Sequence, residues 1–175
     1  ITFTNIHYFA AGATLYGTVV KGGYEYPDKE YDGKFAHVDG YDTCVGCHSP
    51  HTLELKIDEC KTCHTNVKTK DDLKNIRMNG SLHDFNGNGD VKEGMAAELD
   101  GVRAKLYSAI QAYGKDVSKQ AIAYDAATYP YFMADKNGNG KVDDDEKTSN
   151  PYKGWTARLA KAAYNYQVSL KDPGA

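Results

Sequence analysis

Long apolar runs are missing from this chain. Its 175 residues are 41% hydrophobic, mean hydropathy is −0.64, and no stretch approaches the ~20 apolar residues that a membrane-spanning helix needs. Neither sign of charge dominates. Twenty-one Lys and Arg against 24 Asp and Glu leave a net charge of −3, which gives no electrostatic ground for a nucleic-acid partner. There is no glycine-rich phosphate loop and no recognisable nucleophile–base arrangement, so no enzymatic chemistry is read from the sequence. Methionine occurs three times, tryptophan once and cysteine four times. The first residue is Ile1, and no charged-then-apolar leader follows it. With the abrupt ending Asp172-Pro173-Gly174-Ala175, the expectation is a processed protein or a portion of a longer one. The length fits one domain, or one domain with an appendage.

The scarce cysteines are all spent on one pattern. Cys44-Val45-Gly46-Cys47-His48 is followed, eleven residues on, by Cys60-Lys61-Thr62-Cys63-His64. Cys-x-x-Cys-His is the attachment signature of a c-type haem: both thiols bond to the porphyrin edge and the histidine becomes an axial iron ligand. The spacing also approaches a structural zinc pattern, and four cysteines allow two disulfides. Neither alternative needs a histidine after each second cysteine, and here it occurs both times in a chain with six His. The expectation is two haems, with Cys44, Cys47, Cys60 and Cys63 as thioethers and His48 and His64 as proximal ligands. Haem attachment of this kind takes place outside the cytoplasm, so an exported protein is implied. The short spacing makes the two porphyrins neighbours.

Hexacoordinate irons need two further ligands, and His7, His37 and His51 are the candidates. His51 follows His48 by three residues. That span reaches at most ~11 Å, too little to pass around a porphyrin edge, so His51 is excluded from the first haem of its own chain. It remains open to the second haem or to a neighbouring subunit. His37 can reach either site, and His7 would pin the N-terminal segment onto a haem. His83 reads as a loop residue, and Met78, Met95 and Met133 as apolar packing.

Around these motifs the coarse reading is mostly α, with little regular structure near the haems. A short N-terminal hairpin is expected over 14–26, then a loop-rich dihaem core, then a helical bundle. The division falls at 1–70 and 71–175, packed as one unit. Leu99, Val102, Leu106, Ile110 and Tyr113 share one face of a helix over 94–113. A second helix is expected over 118–127, and a third carries Trp155, Leu159, Ala162, Ala163, Tyr166 and Leu170.

Two acidic glycine-rich loops lie among these helices. Residues 135–146 fit the EF-hand calcium loop, with Asp135, Asn137, Asn139 and Asp143 at positions 1, 3, 5 and 9. Gly140 stands at the sharp turn, Lys141 offers its carbonyl and Glu146 stands at position 12. Asp84, Asn86, Asn88 and Asp90 begin a second such loop, but Met95 stands at position 12, so Glu93 or Glu98 would have to substitute. One calcium is expected, and the 84–95 loop is a candidate for a second. Val91 and Val142 hold matching positions, as if the loops met through a short strand contact. Three methionines are too few for a calcium-sensor groove, which makes the calcium structural.

Several segments resemble the multihaem c-type cytochromes of bacterial and archaeal extracellular electron transfer. They are Phe35-Ala36-His37, Thr43-Cys44-Val45-Gly46-Cys47-His48-Ser49-Pro50-His51, the second motif, Asn5-Ile6-His7-Tyr8 and the final Lys171-Asp172-Pro173-Gly174-Ala175. The haem motifs cover roughly the first third of the chain, and the EF-hand-like half resembles the calcium-bearing part of some of these cytochromes. The resemblance implies low-spin bis-histidine haems and assembly into extracellular filaments in which haems stack along the axis. In some of these the distal histidine comes from the adjacent subunit. Two haems per chain are fewer than known filament formers often carry. The implied function is electron transfer as a filament subunit. A monomeric periplasmic dihaem carrier and the terminal module of a larger multihaem oxidoreductase are the alternatives. Copies of itself and other redox proteins or extracellular acceptors are the implied partners. Fourteen Tyr against five Phe suit surfaces that are apolar and wet at once, including interfaces.

Overall fold

The computed structural model describes residues 7–34, 37–78, 80–148 and 150–171, with the side chains of residues 7–10 outside that description. Helix α1 (His7–Tyr16) leads through a 3-10 turn (Gly17–Val19) into irregular chain. One-turn helices α2 (Cys44–Cys47) and α3 (Ile57–Cys60) follow, then α4 (Met95–Asp116), strands β1 (Ile122–Tyr124) and β2 (Phe132–Ala134), and α5 (Ala157–Lys171). None of these helices is long and apolar enough to cross a membrane.

The core sits between α4, the two strands and α5. Ile110, Ile122, Phe132, Tyr152, Leu159 and Ala163 are buried together, ringed by Tyr113, Tyr124, Trp155 and Tyr166. On α5 the buried residues are Leu159, Ala163 and Gln167, spaced four apart as one helical face requires. Thr156 starts that helix by accepting the Leu159 N–H at 3.2 Å. Gly114 lets α4 approach β1: a Cβ there would lie 2.7 Å from Ile122 Cγ2 and 3.0 Å from the Gln120 carbonyl oxygen.

Four expectations need correction. The N-terminal hairpin is replaced by α1, and the chain after it docks on α5. The Tyr24 N–H is taken by Asn165 Oδ1 at 2.6 Å, its carbonyl by Asn165 Nδ2 at 3.0 Å, and the Gly22 carbonyl by Tyr164 at 2.9 Å. An amide side chain thus satisfies the backbone groups that a partner strand would have used. The helix expected over 118–127 is β1 instead. Lys119 has a φ of +57°, which ends the helical path, and Ile122, Ala123 and Tyr124 then pair antiparallel with Ala134, Met133 and Phe132. The C-terminal half is therefore two long helices on a small sheet rather than three bracketing helices. On α4, Leu99 and Val102 are about 40% exposed, while Glu98, Arg103, Ile110 and Gly114 face inward. The first half of that helix packs on the polar 84–95 loop and meets α5 through Arg103, which donates to Ser169. Finally, among the described residues Val91 and Val142 belong to no strand pair or bridge.

Helix propensity alone would make Gly114→Ala stabilising by about 1 kcal/mol. The close approach to Ile122 and Gln120 reverses that sign, so the variant should unfold at lower urea than the parent chain. A gain in midpoint would show that the strand is free to retreat.

Candidate functional site

The first cysteine motif forms one helical turn, α2, from which the histidine is peeled away, and the second is a turn that continues from the end of α3. In the first, the Thr43 side chain caps α2 by accepting the Gly46 N–H at 3.3 Å, and the His48 N–H donates to the Cys44 carbonyl at 2.8 Å. The cysteines stand three apart and share a helix face. His48 itself is extended, with φ −105° and ψ 144°. Its Nδ1 lies 2.8 Å from the Leu53 carbonyl oxygen. A carbonyl can only accept, so Nδ1 carries the proton and Nε2 keeps its lone pair for a metal.

The chain that supplies this carbonyl is a closed loop. Ser49 N–H bonds to Glu54 O, Leu53 N–H to Ser49 O and Lys56 N–H to Cys47 O, each at 2.9 Å, and His48 bridges Leu55. Leu53 holds a φ of +59°. The Lys56 ammonium donates back to the Val45 carbonyl at 2.9 Å.

The second motif repeats the first. The His64 N–H donates to the Cys60 carbonyl at 2.9 Å, and the Val67 N–H to His64 O at 2.9 Å. Val67 is the one buried apolar residue of this region among the described residues. The His37 ring lies 6.2 Å from the His64 ring, with the planes 20° from parallel. Two imidazoles on opposite sides of one iron need a little over ~6 Å between ring centres, from metal–nitrogen bonds of about 2 Å and roughly 1.2 Å inside each ring. Of the two sites the sequence left open to it, His37 lies beside the histidine of the second.

The other histidines are dispersed. His51 is exposed on the 48–56 loop and makes no hydrogen bond or ring contact with another described residue. The side chain of His7 lies outside the described residues. His83 is exposed and sits edge-on to Phe85 at 4.4 Å. Of the methionines only Met133 is packed away, while Met78 and Met95 are exposed.

The two motifs are brought together by residues that carried no signal in the sequence. The Cys47 thiol lies 3.9 Å from the Tyr41 carbonyl oxygen, and the Tyr41 phenol lies near Glu59 of α3, whose negative charge holds it above its ordinary range. Burial pushes the Cys47 thiol up, and the nearby Cys60 adds to the effect. All four cysteines are free thiols. Among the described residues no three His, Cys, Asp or Glu side chains converge as a metal cluster, at the cysteines or at the acidic loops.

The acidic loops share one backbone design and differ in charge. In 135–146, Asp135 accepts the N–H groups of Gly138, Asn139 and Gly140 at 2.7, 3.2 and 2.8 Å. Glu146 accepts those of Lys136 and Asp143 at 2.5 and 3.2 Å, and Asp143 receives the amides of Asn137 and Asn139 at 2.7 and 2.8 Å. Glu146 is 1% and Asp135 7% exposed, yet among the described residues neither has a Lys or Arg partner. Buried carboxylates without a counter-charge are costly, and N–H groups offset part of that cost. The loop is tied to α4 where the Gly140 carbonyl accepts Gln111 at 2.8 Å and Tyr107 at 3.2 Å.

In 84–95 the matching parts come from elsewhere. Asp84 accepts from Gly87, Asn88 and Gly89 at 2.5, 3.2 and 2.8 Å. Glu93 takes the amides of Asn86 and Asn88, as Asp143 does in the other loop, and Asp90 accepts the Lys92 N–H at 2.8 Å. The buried acid is Glu98, which accepts the Asn86 N–H at 2.9 Å but is already paired with Arg77 at 2.6 Å. Lys105 caps the Asn86 carbonyl. Protein cations thus supply the charge here that the 135–146 loop lacks.

No protein-family model, curated protein or solved structure matches the chain.

The Gly89 N–H, with those of Gly87 and Asn88, holds the Asp84 carboxyl below its usual range against burial. Burial raises Glu98, but the Arg77 guanidinium and the Asn86 N–H outweigh it and lower that carboxyl too. Groups that ionise more readily when folded stabilise above the unfolded pKa of about 4. They lose that effect as pH falls through the lowered folded value. The Gly87 and Gly89 amides should therefore lose hydrogen-exchange protection between about pH 4 and 2. Protection that survives to pH 2 would show that the carboxylates do not hold the loop.

Proposed function

We propose that this chain transfers electrons through two covalently attached c-type haems, as a subunit of an extracellular cytochrome filament. The observation that carries the reading is the His37–His64 pair, near-parallel and 6.2 Å apart, beside a motif whose cysteines could hold a porphyrin. The Leu53 carbonyl adds a second support by fixing the tautomer of His48. When bound, haem supplies a reversible ferric–ferrous couple; bis-histidine ligation sets it lower than methionine–histidine ligation does. The residues of this chain anchor, orient and keep both irons six-coordinate. That is the chemistry of a carrier and leaves no open position for a substrate.

With His37 opposite His64, the remaining position on the first iron falls to His7 of the same chain or to a histidine of a neighbouring copy. His51 is exposed and barred by its tether from the adjoining iron, so it is the imidazole placed to reach across a subunit boundary. Calcium at Asp135, Asn137, Asn139, Lys141, Asp143 and Glu146 would neutralise the buried carboxylates and lock the strand that leads into them. The 84–95 loop, with Arg77 and Lys105 in place, does not need the ion.

Intact mass should exceed the polypeptide by two haems that resist acid–acetone extraction. Extractable haem, or zinc in its place, sinks the reading. His37→Ala should convert one haem of the two to a high-spin ferric form. Electron microscopy should show polymers that His51→Ala shortens or abolishes. Native protein that stays monomeric at high concentration with both haems low-spin would falsify the filament and leave the monomeric carrier. Calcium added after chelation should raise the melting temperature of the parent chain but not of Glu146→Gln, and an equal rise in both would move the ion elsewhere.

A further inference from the structure

The 37–42 segment joins the two haem motifs, and its single half-buried aromatic touches both. Tyr41 closes a turn by donating its N–H to the Val38 carbonyl at 3.0 Å, and Lys34 pairs with Asp42 across the base of the segment at 3.3 Å. Behind the turn lies α2. A Cβ on Gly46 would meet the Gly40 carbonyl oxygen at 2.5 Å and Tyr41 Cα at 3.0 Å, so the backbone at Tyr41 is seated against the first motif only because position 46 is glycine. Its carbonyl faces Cys47. Its side chain crosses to the second motif, where the phenol lies near Glu59 and the ring meets His37 edge-on, 6.5 Å between centres and 89° between planes.

We propose that Tyr41 is a positioning residue that holds His37 as the distal ligand of the second haem and couples that site to the first motif. The proposal rests on the dihaem reading. His37 is exposed on irregular chain, where an imidazole has rotamer freedom to lose on binding iron. An edge-to-face aromatic neighbour restricts that freedom before ligation. Because the backbone of Tyr41 is seated on α2 while its ring meets His37, a shift of the first motif is passed to His37 through one rigid ring. Gly46 and Glu59 act through Tyr41 and not on iron.

The test is made on the dihaem protein as purified. Tyr41→Ala should keep both haems by mass but turn one of the two high-spin in the ferric state. Free imidazole should restore the low-spin spectrum, and cyanide should bind that haem at a lower concentration than in the parent. Tyr41→Phe keeps the ring and should stay low-spin. Gly46→Ala, which displaces Tyr41 from behind, should reproduce the high-spin half. If Tyr41→Ala does not accumulate, Tyr41→Leu and the nuclear Overhauser contact between the Tyr41 and His37 rings in the reduced parent protein give the same decision. Two low-spin haems in Tyr41→Ala with parental cyanide binding, or no ring-to-ring contact, overturn the proposal. A parent protein without covalent haem fails the dihaem reading instead, and that is seen before any variant is compared.

Discussion

The organisation of the first half depends on one backbone hydrogen bond, from the Lys56 N–H to the Cys47 carbonyl at 2.9 Å. It folds the eleven residues between the motifs back on themselves. α3 is thereby delivered beside α2, and Cys60 comes within electrostatic reach of Cys47. The same closure turns the Leu53 carbonyl toward His48. A linker of this length left open would allow the two one-turn helices to drift apart, since apolar burial in the region is nearly confined to Val67. Backbone hydrogen bonds hold the frame of a segment with little apolar core of its own, and under the proposed function two haems would fill it.

The second half is stabilised differently. Its centre is an unbroken series of aromatic contacts, from Tyr107 to Tyr166, Tyr124, Phe132, Trp155 and Tyr152, with ring centres between 4.8 and 5.6 Å apart. The tyrosine surplus thus serves the core as much as any interface. The Tyr107 and Tyr152 hydroxyls reach backbone carbonyls, whereas the Tyr124 hydroxyl is buried without a hydrogen bond to another described residue. Burial pushes Tyr124 up to about 12, so its phenol stays protonated at any physiological pH. Tyr107 links this core to the 135–146 loop through the Gly140 carbonyl, giving an ion at that loop a direct mechanical connection to α4.

The two acidic loops show how one backbone design accepts two ways of balancing charge. In both, an aspartate at the first position gathers three backbone N–H groups and two asparagine amides converge on one acid. Where Glu98 closes the turn from within α4, a guanidinium lies beside it. Where Glu146 closes it, no basic side chain among the described residues does. Desolvated carboxylates favour a nearby cation; Arg77 is that cation in one loop, and under the proposed function calcium would be in the other.

The sequence by itself determined the local features: the one-turn cysteine motifs, the long helices near 95–116 and 157–171, and the loops with their turn glycines. Each depends on residues within one or two turns of each other, and short-range sterics and hydrogen bonding suffice to specify them. Periodicity found Leu106, Ile110 and Tyr113 on the core face of α4 but misplaced Leu99 and Val102, because the polar 84–95 loop covers the first turns of that helix. It missed β1 because Ile122, Ala123 and Tyr124 are read as extended only once Phe132, Met133 and Ala134 lie beside them. The placement of His37 beside His64, the seat of Tyr41 on Gly46, the docking of Tyr24 on Asn165 and the pairing of Arg77 with Glu98 were decided by tertiary structure alone. These contacts join residues that are distant in the chain or whose geometry is set by the path of a loop. No pattern of residue types specifies that path until the backbone hydrogen bonds that close it have formed.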